Sequence, residues 1–406
     1  MRIMAVLAMM CLMIPAPNTN AAAPPATGTS GMAKGIDQFG VDLYQRLPAG
    51  ENLFFSPASI STAFGMAYAG ARGQTADEIA RVMRFDAPPA KLGTEAGKLL
   101  RDWNDGDDKR GYELAVANAM WGQKGYPYAR AFGAEMARDY GAGLHLLDFG
   151  QPEPARMEIN KWVEDQTKGK ITNLIPQGGV TPATRLVLTN AVYFKSAWDQ
   201  PFNKGGTRPE PFKLGGEKTA DVPTMHQMGH FHLLKSDGMS ALEMPYGHGA
   251  LSMIVLLPDE VEGLAAMEKN LTYEKLEDWI GKLQSQPPGG VVVSFPKFKM
   301  TRELALGQTL AAMGMKQSFT GSADFSGMVS TGSHERVTLS EAYHKAYVDV
   351  NEEGTEAAAA TGLVMRATAM SAVQGTFNAD HPFMIVIREN MSGVVLFMGR
   401  VVNPGR

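Results

Sequence analysis

Cysteine is almost missing from these 406 residues: the single copy, Cys11, lies inside an apolar leader. Once that leader is removed no thiol remains, which excludes disulfides, thiolate metal sites and thiol nucleophiles. No apolar run reaches the roughly 20 residues that a membrane-spanning helix needs. Charge of one sign is also lacking, since 38 Lys and Arg against 42 Asp and Glu leave a net −4. Neither a nucleic acid nor an acidic membrane surface is therefore indicated as a partner. Gly-x-Ser-x-Gly, His-Glu-x-x-His and phosphate-binding glycine motifs are absent as well, and no Ser, His and Asp set has a spacing that would activate a nucleophile. His226, His230 and His232 come nearest to a metal pattern, but they fall in a strand-rich segment without a nearby carboxylate. The expectation is no metal, no cofactor and no enzyme.

Residues 1–23 have the form of a secretory signal peptide: Arg2, an apolar run from Ile3 to Pro15, then small residues around Ala21 to Ala23. They predict a secreted chain, extracellular or periplasmic. Residues 24–33, rich in Ala, Pro, Gly, Ser and Thr, predict a disordered lead-in. No Pro/Gly/Ser linker divides 34–406, and 44% hydrophobic content supplies a core, so one large domain is expected.

Ile36, Phe39, Leu43 and Leu47 stand at helical spacing and predict a first helix ending near Pro48. Ser56 before Pro57 is placed to cap a second, Ala/Gly/Ser-rich helix. Thr75-Ala76-Asp77-Glu78 has the form of a capping box. Strands are predicted over 112–121, 144–148 and 185–195, and helices over 129–138, 153–168 and 303–313. Strand follows strand from 211 to 257, and the end is a buried hairpin turned at Asn390–Gly393. Helices dominate the first half and strands the second without βα alternation, which predicts an α+β fold with mostly antiparallel sheets.

One stretch stands apart. After the strand-like run His344 to Val350 comes Glu352-Glu353-Gly354-Thr355-Glu356, then Ala357 to Ala360, then Thr361 to Ser371. With period two, Thr355, Ala357, Ala359, Thr361, Leu363 and Met365 share one face, while Glu356 and Arg366 share the other. The segment has a strand's pattern in residues far smaller than a permanent core strand uses. A flexible alanine linker is an equal reading. A helix is opposed by Gly354, Gly362 and the β-branched Thr355, Thr361 and Val364.

From about residue 34 to 404 the chain resembles the serpin family. The motifs that carry the resemblance are Asn52 to Ile60, Thr189 to Trp198, Leu242 to Tyr246, Ala323 to Met328, His344-Lys345-Ala346, Glu353 to Ala359, Ala379 to Phe383 and Phe397 to Val401. The resemblance implies three mostly antiparallel sheets, about nine helices and an exposed reactive loop over about 352–376. It further implies an irreversible suicide-substrate inhibitor: a protease cuts the loop and is trapped as an acyl-enzyme when the loop inserts as a new strand of the main sheet. The partner so implied is a serine protease, with a cysteine protease as the alternative, and the inhibitor itself is expected to be a monomer.

Residue roles follow from the same resemblance. The hinge is Glu352, Gly354, Thr355, Glu356, Ala357, Ala358, Ala359, Ala360 and Thr361, with small side chains where a charge would be buried. Ser56, Asn190 and His344 match the polar shutter beneath the strands that part. Trp198 and Lys297 match the breach where insertion begins, with Lys297 and Glu352 as a candidate ion pair. Family spacing puts the scissile bond at Thr368-Ala369, implying an elastase-like or subtilisin-like target; Met370-Ser371 and Arg366-Ala367 are the rivals. Lys91, Lys98 and Arg101 are followed by Asp102, Asp105, Asp107 and Asp108, too mixed in sign for glycosaminoglycan activation. A non-inhibitory relative serving as chaperone, carrier or structural protein is the alternative function.

Overall fold

The computed structural model describes residues 31–104, 111–356 and 373–405. In chain order the first elements are α1 (Gly31–Tyr44), β1 (Leu53–Phe55), α2 (Pro57–Gly70), α3 (Gly73–Met83), α4 (Pro89–Asn104), β2 (Tyr112–Gln123), α5 (Arg130–Tyr140), β3 (Leu144–Leu147), α6 (Pro152–Gln166) and β4 (Leu186–Ala197). Then come β5 (Arg208–Gly215), β6 (Lys218–Ser236), β7 (Met239–Tyr246), β8 (Leu251–Pro258), α7 (Leu264–Lys269), α8 (Tyr273–Ser285), β9 (Gly289–Pro296), β10 (Phe298–Ala305) and α9 (Gly307–Met313). The chain ends with β11 (Leu339–Asn351), the two-residue β12 (Gly354–Thr355), β13 (Val373–Asn378), β14 (Phe383–Glu389) and β15 (Val395–Val401).

Nine α-helices are thus present among the described residues, and the strands make three sheets, two of which share β6. Its last residues, from His232, pair with β7 in the series β1-β15-β14-β8-β7, while its earlier residues pair with β5 and β9, and β9 with β13. The third sheet has the order β10-β11-β12-β4-β2-β3. Pairings are antiparallel except β11 with β4, β13 with β9 and β2 with β3. No helix among the described residues is long and apolar enough to cross a membrane.

Burial explains where the elements sit. Ser56 caps α2, its Oγ accepting the Ser59 amide at 3.1 Å, and α2 is buried along its length except at Tyr68. Small Ala, Gly and Ser residues allow such all-round burial. On the other face of the six-stranded sheet, Ile159 and Val163 of α6 pack on Trp121, Ala191, Tyr193, Tyr343 and Tyr347. That sheet is therefore sandwiched, with α2 beneath it and α6 above.

Three expectations need correction. The lead-in does not extend to residue 33, because α1 begins at Gly31 and Met32 and Ala33 are buried. Thr75 does not open a helix: it sits inside α3, where its Oγ1 accepts from the Asp324 amide while Glu78 Oε2 accepts from the Gln317 amide. Helix-forming Glu303-Leu304-Ala305 belong to β10, because they pair in turn with Lys345, His344 and Tyr343 of β11. Long-range pairing overrides local propensity there, and the helix is left only Gly307–Met313.

Candidate functional site

The site lies along the seam between β4 and β11. These two strands pair in parallel from Leu339↔Leu186 to Tyr347↔Tyr193, and beyond that point they diverge around β12. Gly354 and Thr355 run antiparallel to both neighbours: Thr355 faces Val350 on one side and Ser196 on the other, and Gly354 faces Asn351 and Ala197. The hinge has thus already placed two residues in the fork.

Each hinge residue is fixed for its own reason. Gly354 has φ +147°, and a Cβ there would stand 2.0 Å from the Ser196 carbonyl oxygen, so no other residue fits. Thr355 is 0% exposed, and its hydroxyl and that of Tyr246 are hydrogen-bonded at 2.8 Å. Glu356 donates its amide to the Asp349 carbonyl at 2.7 Å and pairs its carboxylate with Lys170, in the connection after α6. Ala357, Ala358, Ala359, Ala360 and Thr361 lie outside the described residues, as do all the candidate scissile positions, Arg366, Ala367, Thr368, Ala369, Met370 and Ser371.

Just before β12 the chain is stapled to Lys297 and Trp198, the residues expected to form the breach. Lys297 Nζ donates to Glu352 Oε2 at 2.8 Å and Thr207 Oγ1 to Glu352 Oε1 at 2.7 Å. Burial alone would raise the Glu352 pKa, but these two donors outweigh it and hold the carboxyl below its ordinary range. Trp198 donates its backbone N–H to the Glu353 carbonyl and its indole N–H to the Asn351 carbonyl, both at 2.9 Å. Its ring stacks on Tyr246 with centroids 4.0 Å apart, which links the breach to the partner of Thr355.

Below the fork a row of polar side chains crosses three strands. Asn118 of β2, Asn190 of β4 and His344 of β11 are register partners. His344 Nε2 accepts the Ser56 backbone N–H at 3.1 Å, so its proton sits on Nδ1 and is donated to Asn190 Oδ1. Asn190 Nδ2 then donates to Asn118 Oδ1 and, at 2.9 Å, to the Ser59 carbonyl. Complete burial pushes the His344 pKa down to about 3, which keeps the imidazole neutral as this tautomer requires.

All the sequence-derived shutter and breach residues come together here, with one change of role: Ser56 reaches His344 through its backbone, while its side chain caps α2. Asn118, Ser59, Thr207, Tyr246 and Lys170 were not foreseen. Ser59 and Tyr246 stand inside the motifs Asn52 to Ile60 and Leu242 to Tyr246, and Asn118 is a lone amide in the apolar strand pattern of β2, whereas Thr207 and Lys170 carry no sequence signal. The three histidines of β6 do not converge, and no group of three metal-ligating side chains occurs among the described residues. His226 Nδ1 is hydrogen-bonded to Ser294 Oγ at 3.1 Å with Glu210 beside its other nitrogen, a carboxylate the linear sequence did not bring near.

The arrangement matches known proteins over most of the chain. The family model described as serpin (serine protease inhibitor) matches residues 34–404. The chain is 38% identical to human serpin B3 over 395 residues, covering 92% of this chain and all of that protein. It is 42% identical to the horse leukocyte elastase inhibitor over 381 residues, covering 90% and 97%. Among solved structures, uncleaved ovalbumin superposes with a TM-score of 0.82 at 31% identity, covering 92% of this chain and 100% of that one. Human thyroxine-binding globulin gives 0.83 at 30% identity, with 92% and 98% covered. A forked sheet, a hinge placed in the fork and a matching sequence over nearly the whole chain lead to one assignment: this chain belongs to the serpin family of serine protease inhibitors.

Proposed function

We propose that the chain is an irreversible suicide-substrate inhibitor of serine proteases, which traps the acyl-enzyme by inserting its cleaved loop between β4 and β11. The observation that carries this reading is β12, antiparallel to both strands at the head of an otherwise closed seam. In the reaction the protease serine attacks the scissile carbonyl, the C-terminal fragment leaves with the proton, and the ester holds the protease to the new end of the loop.

Continuing the register of β12 supports an expected place for each residue in the product. With Thr355 opposite Val350 and Ser196, Ala357 comes opposite Val348 and Phe194, and Ala359 opposite Ala346 and Val192. Thr361 comes between His344 and Asn190, so the incoming strand replaces the His344 to Asn190 bond and brings a hydroxyl to the vacated groups. The faces agree: Thr355 is buried, and the alternate residues after it are all small or apolar. Each inserted residue gains ladder hydrogen bonds worth about 1 kcal/mol net apiece, so about a dozen residues supply a large drive.

In this reading the chain turns nothing over and is consumed by its target as a monomer. Thr368-Ala369 as the cut bond supports an elastase-like or subtilisin-like protease, and the leader supports action outside the cell or in the periplasm. Incubation with a panel of serine proteases tests it. A complex stable to denaturing electrophoresis is expected, with a released peptide beginning at Ala369 by mass spectrometry. Turnover of the chain without complex, and no rise in melting temperature on loop cleavage, would instead support a non-inhibitory carrier. Likeness in fold to thyroxine-binding globulin complexed with thyroxine is the observation on that side.

A further inference from the structure

The sheet built from β5, β6, β9 and β13 carries a row of polar side chains that loop insertion does not use. Ser294 of β9 is the register partner of His226 on β6 and of Asn378 on β13. Register partners stand on one face of a sheet, so these three side chains are neighbours. Ser294 Oγ lies 3.1 Å from His226 Nδ1. From β5, Glu210 reaches the same row and places its Oε1 3.2 Å from His226 Nε2. Across the four strands the order is thus carboxylate, imidazole, hydroxyl, amide. Its members lie far apart in the sequence, and only strand register brings them together.

What each group can donate or accept fixes the proton positions. A carboxylate only accepts, so the imidazole proton belongs on Nε2 beside Glu210, and Nδ1 is left to accept the Ser294 O–H. Nucleophile, base and orienting carboxylate then stand in sequence, with the two ring nitrogens exchanged relative to the Ser-His-Asp template. His226 Nε2 is buried and not yet aligned for a hydrogen bond, and catalytic bonds of this kind tighten when substrate binds. Arg208 Nε holds the same Glu210 oxygen at 2.8 Å, which steadies the carboxylate. Asn378 Nδ2 donates one N–H to Asp380 Oδ2 at 3.2 Å, which leaves its second N–H for an oxyanion. Two residues along each strand, Met228, Val292 and Thr376 form the next row of the same face. Met228 is 40% exposed and Val292 half-buried, a short apolar strip beside the half-buried Ser294.

We propose that this row is a hydrolytic site for small carboxylic esters whose short acyl chain lies on Met228 and Val292. Ser294 Oγ attacks the ester carbonyl carbon while its proton passes to His226 Nδ1, and Asn378 donates to the oxyanion. The bond to the leaving oxygen then breaks, and the departing alcohol takes the proton from Nδ1. Water repeats the steps on the acyl-serine: it gives a proton to Nδ1, the carboxylic acid leaves, and Ser294 regains its hydrogen. Glu210 touches only the imidazole and is a positioning residue. Trapping a protease consumes the chain whereas this site turns over, and neither property rests on the other. The test is release of nitrophenolate from excess 4-nitrophenyl butyrate by the full chain. Turnover beyond one equivalent is expected, with kcat falling roughly a hundredfold in Ser294→Ala and in His226→Gln and roughly tenfold in Asn378→Ala. Glu210→Gln should lower kcat roughly tenfold and leave KM unchanged. A fluorophosphonate probe, which needs no variant, should label Ser294 of the parent by peptide mass spectrometry. Release that stops at one equivalent, equal turnover by Ser294→Ala, or no label at Ser294 overturns the site. An unchanged kcat in Glu210→Gln, or a change in KM alone, overturns the positioning role.

Discussion

Under the proposed insertion mechanism, Thr355→Arg is the most direct test of the expected hinge. Thr355 is 0% exposed, wedged between Val350 and Ser196, and bonded to the buried Tyr246 hydroxyl. An arginine there leaves that hydroxyl unpaired, at about 1–3 kcal/mol. It also brings a charge with no partner into the core face, and an uncompensated buried charge costs about 3–5 kcal/mol. The cheapest response is expulsion of the hinge, so that insertion begins without its first two residues. A barrier raised by only about 3 kcal/mol slows insertion by roughly 150-fold, while deacylation, which takes place on the protease, keeps its rate. An inhibitor that traps nearly every protease it meets then becomes a substrate cut many times per trapping event. The assay is titration of residual protease activity with denaturing electrophoresis of the same samples, beside Thr355→Ser, which keeps the hydroxyl. Near-stoichiometric stable complex with the arginine variant would refute the reasoning.

Gly354→Ala has no room for its Cβ 2.0 Å from the Ser196 carbonyl, so β12 should detach; loss of hydrogen-exchange protection at the Glu356 amide reads this, and retained protection contradicts it. Glu352→Lys sets a second cation beside Lys297 and removes the acceptor of Thr207; after allowance for the partly exposed Lys297, about 2 kcal/mol of native stability should be lost, visible as a lower urea midpoint. His344 is neutral when folded, with a pKa near 3, but takes a proton when unfolded below its ordinary value of 6.5, so stability is full above that pH and falls as pH drops toward 3. Between pH 6.5 and 5 the loss is about 2 kcal/mol, and His344→Gln should abolish that slope in urea titrations. Asp37 is the opposite case: burial lifts its pKa to about 8, so the fold retains a proton that the unfolded chain releases near pH 4, and stability falls as pH rises between those values. Asp37→Asn should flatten that alkaline decline, and an unchanged profile would show that the carboxyl is already ionised in the fold.

Much of the site was legible because its members are written in consecutive motifs. Ser56, Asn190, His344, Trp198, Lys297 and the hinge all stand in stretches whose order and spacing are specific, and the structure brings them together along one seam. What could not be read is the set of partners supplied by register. Tyr246 meets Thr355 only because β7 ends beside the fork, and Lys170 meets Glu356 only because the connection after α6 crosses the sheet there. Neither contact has a local sequence signal, since each joins residues more than a hundred positions apart. The misread helix at Glu303 has the same origin: its residues favour a helix alone, and eight successive pairs with β11 decide otherwise.

The two halves of the seam oppose each other. At the head, β12 has already parted β4 from β11, and its pairs with both strands favour further zipping, since each added residue gains bonds on two sides. Six residues farther along stands the row Asn118, Asn190 and His344, fully buried, where every bond of His344 is made. Breaking the His344 to Asn190 bond strands two polar groups in the core until Thr361 arrives, and each costs about 1–3 kcal/mol while it waits. Under the proposed insertion, zipping therefore runs downhill until the row and then meets a local barrier whose height depends on how well the residue at 361 takes over the lost bond. A Thr361→Val variant removes the hydroxyl while keeping shape, and so should leave β12 intact yet slow complex formation, separating the barrier at the row from the drive at the hinge.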